Sequence, residues 1–442
     1  MKSLYIKTYG CQMNVYDSVL IENIIKPLGF NVVCDVEKAD LVVLNTCHIR
    51  EKATEKLYSD LGRIYSLRKN DEVIIVVAGC VAQAEGEEIL KKAPFVYAVL
   101  GSQNIADLPE LIFNASRNKG YAINIDFPET TKFDKLPTEC YGNSQGSSAF
   151  LSIQEGCDKF CTFCVVPYTR GAEYSRPVNE IFHEAVRLVT NGAKEINLLG
   201  QNVNAYHGEY KGEVWDLGKL ISCIAKIEKL ERIRYITSHP KDMHESLYLA
   251  HMKEPKLMPL IHLPVQSGSN KVLRAMNRKY TVEEYLEITN KFRKLKPEIE
   301  FSSDFIVGFP GETERDFEET MELVERVRYA QAYSFKYSPR PGTPGSKKRD
   351  QVSEEIKTER LLRLQKLINK QQLEFNQSMV GKVMPILFSN KKGKCKNQII
   401  GKSPYMQSVC INNPEGEYRD KIVNIKILEA RPNSLLGISF KS

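Results

Sequence analysis

Tryptophan is almost missing from this chain of 442 residues, which has only one. Also missing is any run near the roughly 20 uninterrupted apolar residues that a membrane-spanning helix needs. The opening MKSLYIKTYG has no apolar h-region followed by a small-residue cleavage site, so no secretory signal is read there. Internal repeats and low-complexity tracts are lacking too. At 42% hydrophobic and 26% charged residues, the chain has neither the low apolar content of a disordered protein nor a fibrous bias. Together these features predict a soluble protein with no membrane partner, expected in the cytoplasm, with about three domains at roughly 150 residues each.

Cysteine is not scarce. There are eleven, an odd number, and in a reducing compartment informative spacings point to metal ligands or reactive thiols rather than crosslinks. Charge is unevenly placed. Residues 377–442 hold eleven Lys/Arg against four Asp/Glu and so carry the whole net charge of +7, while the rest of the chain balances. A basic tail is the usual footprint of a polyanionic partner, since Lys and Arg release counterions from phosphates.

Residues 2–118 alternate short apolar runs (Leu4–Lys7, Leu41–Leu44, Val73–Ala78, Tyr97–Leu100) with helical stretches such as Asp17–Pro27 and Glu51–Arg68. That predicts an α/β, flavodoxin-like parallel sheet. Residues 119–142 lose this periodicity and read as an exposed linker toward the Gly/Ser/Asn-rich YGNSQGSS. Residues 143–374 supply six further strand-like runs: Phe150–Gln154, Glu195–Leu199, Ile233–Thr237, Leu260–Val265, Phe301–Val307 and Tyr333–Tyr337. Six units are too few for a closed eight-stranded barrel, so a partial, open (βα)6 barrel is expected, with Ser353–Phe375 as a long helix against it. Residues 377–441 carry four short β-rich pieces (Val383–Phe388, Gln407–Ile411, Ile422–Leu428, Leu436–Phe440), predicting a small antiparallel β-barrel.

Two sets of cysteines carry chemistry. Cys157, Cys161 and Cys164 form C-x3-C-x2-C just after a predicted strand, so three thiolates can wrap one face of an inorganic centre. Structural zinc would need a fourth nearby ligand, and the next candidate is His183. Three cysteines instead leave one iron of a 4Fe-4S cluster open. Cys11, Cys47 and Cys80 each follow a predicted strand directly. Loops at the carboxyl ends of parallel strands lie along one edge, so these three can converge across long sequence separations and hold a second cluster. His48 reads as packing, and Cys34, Cys140, Cys223, Cys395 and Cys410 fit no metal spacing and read as structural.

C-x3-C-x2-C with aromatic Phe163 before its last cysteine resembles the radical S-adenosylmethionine superfamily. With the N-terminal cysteine set and the basic tail, the whole chain resembles the methylthiotransferases: a cluster domain, a radical S-adenosylmethionine barrel and a TRAM RNA-binding domain. TYGCQMN (8–14), LNTCHIREKA (44–53), VPYTRGAEYSRP (166–177), LLGQNVNAY (198–206), HLPVQSGS (262–269), DFIVGFPGET (304–313) and GKSPYMQSV (401–409) resemble the branch acting on N6-isopentenyladenosine in tRNA.

The resemblance implies two 4Fe-4S clusters, on Cys11, Cys47, Cys80 and on Cys157, Cys161, Cys164. S-adenosylmethionine would serve both as methyl donor and as source of a 5′-deoxyadenosyl radical. The product would be a methylthio group at C2 of the adenosine beside the anticodon, on a C–H bond that acid–base chemistry cannot activate. An electron donor and a sulfur source are implied as partners, and a monomer is expected, since both clusters lie in one chain. The superfamily's Gly-Gly-Glu segment appears here as Leu199-Gly200-Gln201, which makes Gln201 or Asn202 the candidate for the methionyl amino group. Gln266, Asp304 and Gly308, the last with Pro310 and Gly311 in a tight turn, are candidate cofactor contacts. Arg170 and Arg176 are candidates for phosphate or carboxylate. Lys391, Lys392, Lys394 and Lys396, with Phe388 and Tyr405 nearby, suit RNA backbone and stacked bases. Rival readings are the sister enzymes acting on a ribosomal-protein aspartate or on threonylcarbamoyladenosine, and an RNA-binding iron–sulfur carrier without catalysis.

Overall fold

The computed structural model describes residues 2–48, 51–67, 73–115, 121–143, 145–392, 397–414 and 416–440. The chain divides into two compact units. The first comprises Met1–Asn143, Glu155–Asp158 and Cys164–Tyr174; the second comprises Ser144–Gln154, Lys159–Phe163 and Ser175–Ser442.

The first unit is built on strands β1 (Lys2–Thr8), β2 (Phe30–Val32), β3 (Leu41–Thr46), β4 (Ile74–Gly79), β5 (Ala98–Leu100) and β6 (Ala122–Asn124). All pair in parallel, in the order β2-β1-β3-β4-β5-β6. The central strands LVVLNT and IIVVAG are apolar almost throughout because both of their faces are covered, as a parallel sheet requires. Two strands escaped the sequence reading, β2 and β6, each only three residues long. The segment 119–142 is therefore not simply an exposed linker. It adds β6 to the sheet edge, forms a helical turn at Lys132–Lys135 capped by Thr131, and buries Lys132 completely. Its polar composition hid this, because its lysine is buried by ion pairing rather than by apolar packing.

In the second unit, strands β7 (Ser148–Ser152), β8 (Glu195–Leu199) and β9 (Arg232–Tyr235) form one parallel sheet in the order β9-β8-β7. Strands β10 (Leu260–His262), β11 (Glu300–Val307) and β12 (Gln331–Lys336) form another. Across the gap, Ile233 makes a parallel bridge to Leu257, and one apolar core runs through both sheets. This is the six-stranded open barrel expected. The helix Glu354–Gln377, capped by Ser353, packs beside β12 and buries Leu364 and Ile368.

The tail closes a five-stranded barrel from β13 (Val383–Lys392), β14 (Gln398–Lys402), β15 (Ser408–Asn412), β16 (Ile422–Arg431) and β17 (Ser434–Ser439), in the order β13-β14-β15-β17-β16. It is not purely antiparallel: β15 and β17 run parallel with Val409 opposite Leu435. Strand β14 was missed because Gly401 interrupts its apolar pattern. A Cβ there would stand 2.5 Å from Ile386 Cγ2, so closure of the barrel requires the glycine. Two buried arginines of β9 tie this barrel to the core. Arg232 donates to the carbonyls of Pro385 (2.6 Å) and Lys402 (3.1 Å). Arg234 donates to those of Pro404 (2.7 Å) and Ser403 (2.9 Å), and to Glu195 (2.7 Å).

Candidate functional site

Cys11, Cys47 and Cys80 stand at the carboxyl ends of the neighbouring strands β1, β3 and β4. Cys11 is the N-cap of helix Gln12–Ile25, and Cys80 opens helix Cys80–Glu85 after Gly79. Gly10 adopts φ +102°, and a Cβ on it would lie 2.0 Å from Cys47 Cβ and 2.6 Å from its sulfur, so only glycine lets these two loops meet. A hydrogen bond from Cys47 lowers the Cys11 thiol pKa to about 6 against the opposing effect of burial, with further help from Arg170. Cys80 and Cys11 both act electrostatically on the Arg170 guanidinium.

Arg170 belongs to a buried charge quartet. Lys132 Nζ donates to Asp17 (2.7 Å) and Glu155 (2.9 Å); Arg170 donates to Asp17 (2.7 Å) and to Glu155. All four side chains are 2% exposed or less, and their charges cancel. Burial opposes ionisation of Asp17, but Arg170 and Lys132 prevail and hold its pKa below the ordinary value. Arg170 is thus committed internally and is not a surface site for phosphate. The same holds for Arg176, which is buried and donates to Ser152 O (2.7 Å) and Glu184 (2.8 Å). Both residues carry basic charge in a polar segment; their carboxylate partners are set by the fold.

The loop of the second cysteine set is tightly braced. In the first unit, Cys157 N donates to Gly171 O (3.3 Å), and Cys164 Sγ accepts from Val166 N (3.5 Å). In the second, residues 275–278 hold the stretch 159–163: Thr162 donates to Met276 O (3.1 Å) and Ala275 O (2.9 Å), and Asn277 donates to the carbonyls of Lys159 (3.2 Å) and Phe160 (3.0 Å). Buried Arg278 donates from Nη1 to Cys161 Sγ at 3.4 Å. Among the described residues no three His, Cys, Asp or Glu side chains are gathered as around a single metal ion. A cluster presents a separate iron to each thiolate and calls for a wider arrangement. A thiolate donor set beside guanidinium groups suits an anionic iron–sulfur cluster.

The remaining candidates sit around the barrel of the second unit. Asn202 is buried; its Nδ2 donates to Asp242 (2.8 Å) and its backbone to Gln154 (3.2 Å), while its Oδ1 has no partner among the described residues. Gln201, beside it, is half-buried. Asp242 also pairs with Lys159 (2.7 Å) and stands 4.0 Å from His239, whose pKa is pushed far down by burial and by Arg278 and Lys159. Gln266 holds φ +77°, a strained conformation for a non-glycine residue, and is bridged to β11 through Asp304 O and Ile306 N, each at 2.9 Å. Asp304 meets His262 at 3.4 Å. Gly308 (φ +70°) donates to Glu312 (2.8 Å), and a Cβ on it would strike Lys357 Cγ at 2.3 Å, so helix packing already requires this glycine. Phe163 packs on the apolar cluster of Val272, Met276, Phe309 and Tyr337. Arg278, Tyr280, His239 and Asp242 were not singled out from sequence; all are brought in by long-range contacts.

In the tail barrel the expectation of exposed aromatics fails. Phe388 is in the barrel core, and Tyr405 lies edge-on to Phe375 at 5.4 Å with its hydroxyl donating to Glu298 O (3.2 Å). Lys394, Lys396 and Cys395 lie outside the described residues, and Lys391 and Lys392 end β13. His48 is buried. Of the other cysteines, Cys140 and Cys410 are buried, Cys223 is half-buried and Cys34 is exposed. No helix among the described residues is long and apolar enough to cross a membrane.

Residues 3–101 match the model of the uncharacterized protein family UPF0004, 151–324 that of the radical SAM superfamily and 377–439 that of the TRAM domain. Among solved structures, the radical S-adenosylmethionine methyltransferase TsrM from Kitasatospora setae, with cobalamin and a [4Fe-4S] cluster bound, is similar in fold. Its TM-score is 0.57 at 13% identity, over 78% of this chain and 77% of that one. The chain is 81% identical to the tRNA-2-methylthio-N(6)-dimethylallyladenosine synthase of Wolbachia pipientis wMel over 100% of both chains. It is 64% identical to that of Ehrlichia canis (strain Jake), over 99% of this chain and 100% of the relative. With that identity over the full length, and with an iron–sulfur and S-adenosylmethionine domain at its centre, the chain belongs to the family of the tRNA-2-methylthio-N(6)-dimethylallyladenosine synthases.

Proposed function

We propose that this chain inserts a methylthio group at C2 of N6-(dimethylallyl)adenosine in tRNA, beside the anticodon, and that it does so with two 4Fe-4S clusters. The observation that carries this reading is the gathering of Cys11, Cys47 and Cys80 at three neighbouring strand ends, in a chain that also holds C-x3-C-x2-C. Each set offers three thiolates and so leaves one iron for a substrate or cofactor. Bound there, the clusters and S-adenosylmethionine would supply one-electron chemistry and a methyl group.

The chain's own residues bind, orient and exclude water. Buried Asn202 Oδ1, lacking a partner among the described residues, is an acceptor of the kind a methionyl ammonium needs, with Gln201 beside it. Gln266, Asp304, Gly308 and Phe163 are assigned to the walls of the same cofactor site. The basic tail barrel receives the tRNA backbone. The protein works as a cytoplasmic monomer with an external electron donor and sulfur source.

The test is anaerobic reconstitution, then incubation with reductant, S-adenosylmethionine and tRNA bearing dimethylallyladenosine, followed by nucleoside mass spectrometry. A methylthio mass gain on that nucleoside is expected. A gain only on threonylcarbamoyladenosine or on a ribosomal protein, or no cleavage of S-adenosylmethionine at all, would overturn the reading.

A further inference from the structure

Arg278 is an unusual buried charge. Its residue is 5% exposed, and its guanidinium donates to three groups: Pro264 O (2.7 Å), Tyr280 Oη (2.9 Å) and Cys161 Sγ (3.4 Å). Among the described residues no Asp or Glu forms an ion pair with it. Asp242, the carboxylate near His239 in the same region, is already engaged by Lys159 and Asn202. Taking an ion out of water costs several kcal/mol unless an opposite charge compensates it. Two carbonyl- or hydroxyl-type oxygens do not supply a full negative charge. Among the described residues the neighbour that can is Cys161, through its thiolate and the anionic cluster it would hold.

We propose that Arg278 is the counter-ion of the cluster bound through Cys161 and a positioning residue that makes this cluster easier to reduce, with Tyr280 fixing its guanidinium. The inference rests on the assignment of Cys161 as an iron ligand. A reduced cluster carries one more negative charge than its oxidised form, so a fixed cation against a ligating sulfur favours the reduced state. Hydrogen bonds to the sulfurs and net charge are the levers by which a protein sets such potentials. Tyr280 is held in turn by donating to Val265 O (2.7 Å), and its ring stands edge-on to His239 at 5.4 Å, so the guanidinium has little freedom to turn away. The same short segment braces the loop through Asn277 and Met276, so it both shapes the loop and sets its charge.

The test uses the full chain with Cys11, Cys47 and Cys80 replaced by Ala, leaving only the cluster at issue, and without S-adenosylmethionine. The reduced fraction is read by electron paramagnetic resonance against poised redox mediators, with iron and sulfide counted in parallel. Arg278→Gln is expected to make the cluster about tenfold less reduced at a fixed ambient potential, a shift of about 59 mV for one electron. Arg278→Lys keeps most of the wild-type potential. Tyr280→Phe shifts it the same way by less. Iron retained in Arg278→Gln with an unchanged potential overturns the counter-ion role alone. If Arg278→Gln fails to hold iron, Tyr280→Phe decides, and an unchanged potential in that variant overturns it. No iron in the background protein sinks the assignment of Cys161 and this role with it.

Discussion

Two buried arginines stand beside the two cysteine sets, and their charges are handled in opposite ways. Arg170, acting on Cys11 and Cys80, is paired with Asp17 and Glu155 in a network that Lys132 brings to neutrality. Arg278, bonded to Cys161, has no carboxylate among the described residues. The first arrangement is complete without any bound group; it is architecture that also places a cation near thiols. The second leaves a charge whose compensation falls to Cys161 and whatever that sulfur holds. A fold can therefore bury like residues beside like ligands and still give one a structural role and the other an electrostatic one.

The largest expected effect concerns the division of labour between the sets. Cys161→Ala abolishes cleavage of S-adenosylmethionine, whereas Cys47→Ala keeps some cleavage but yields no methylthio nucleoside. Assays of 5′-deoxyadenosine and of tRNA nucleosides check this, and equal loss of both activities would break the comparison. Next comes the quartet. Asp17→Ala leaves buried cations short of a partner and costs about 3–5 kcal/mol in urea unfolding. Adding Lys132→Met restores neutrality around Arg170 and Glu155, so the double variant loses much less than the sum of the singles.

Acid separates the two units. His251 is buried against Tyr235 (2.7 Å), and burial, then Lys296, lowers its pKa to about 3. The unfolded chain binds this proton near pH 6.5 and the folded protein does not. Stability is therefore lost as pH falls from about 6.5 toward 3, by up to about 1.4 kcal/mol per pH unit. Asp17, with its pKa lowered from 3.8, gives up its contribution only below that. Fluorescence of the single tryptophan, Trp215, reads the second unit. The loss it reports is flattened in His251→Gln, which keeps an acceptor for Tyr235 without titrating. The smallest effect is the sharpest contrast. In chelated, iron-free protein Arg278→Met raises stability by about 1 kcal/mol, since it removes a buried charge that no carboxylate among the described residues pairs, whereas Asp17→Ala lowers it with or without iron. A fall for Arg278→Met in the iron-free protein would erase the distinction.

Much of this architecture was legible because it is written locally. Apolar runs followed directly by Cys11, Cys47 and Cys80 put those residues at strand ends, and parallel topology put the ends on one edge. Arg170 was misread as a phosphate contact for the converse reason. Asp17 lies 153 positions from Arg170, and no local spacing reveals such a partner. Arg278 escaped notice altogether, 117 positions from Cys161. Lys132 sat in a polar stretch that reads as linker until its two carboxylates are seen. Phe388 reads as available to bases because alternation along a small barrel's strand does not tell which side is the inside, and Tyr405 lies in a turn whose partners, Phe375 and Glu298, are distant in sequence.

The central claim is that two separate sets of three cysteines each hold a cluster. Its most direct test is iron and sulfide counting after anaerobic reconstitution of the wild type and of the Cys157/Cys161/Cys164 triple Ala variant. About eight irons per chain falling to about four is the expected result. About four in the wild type, or zinc in place of iron, would contradict it.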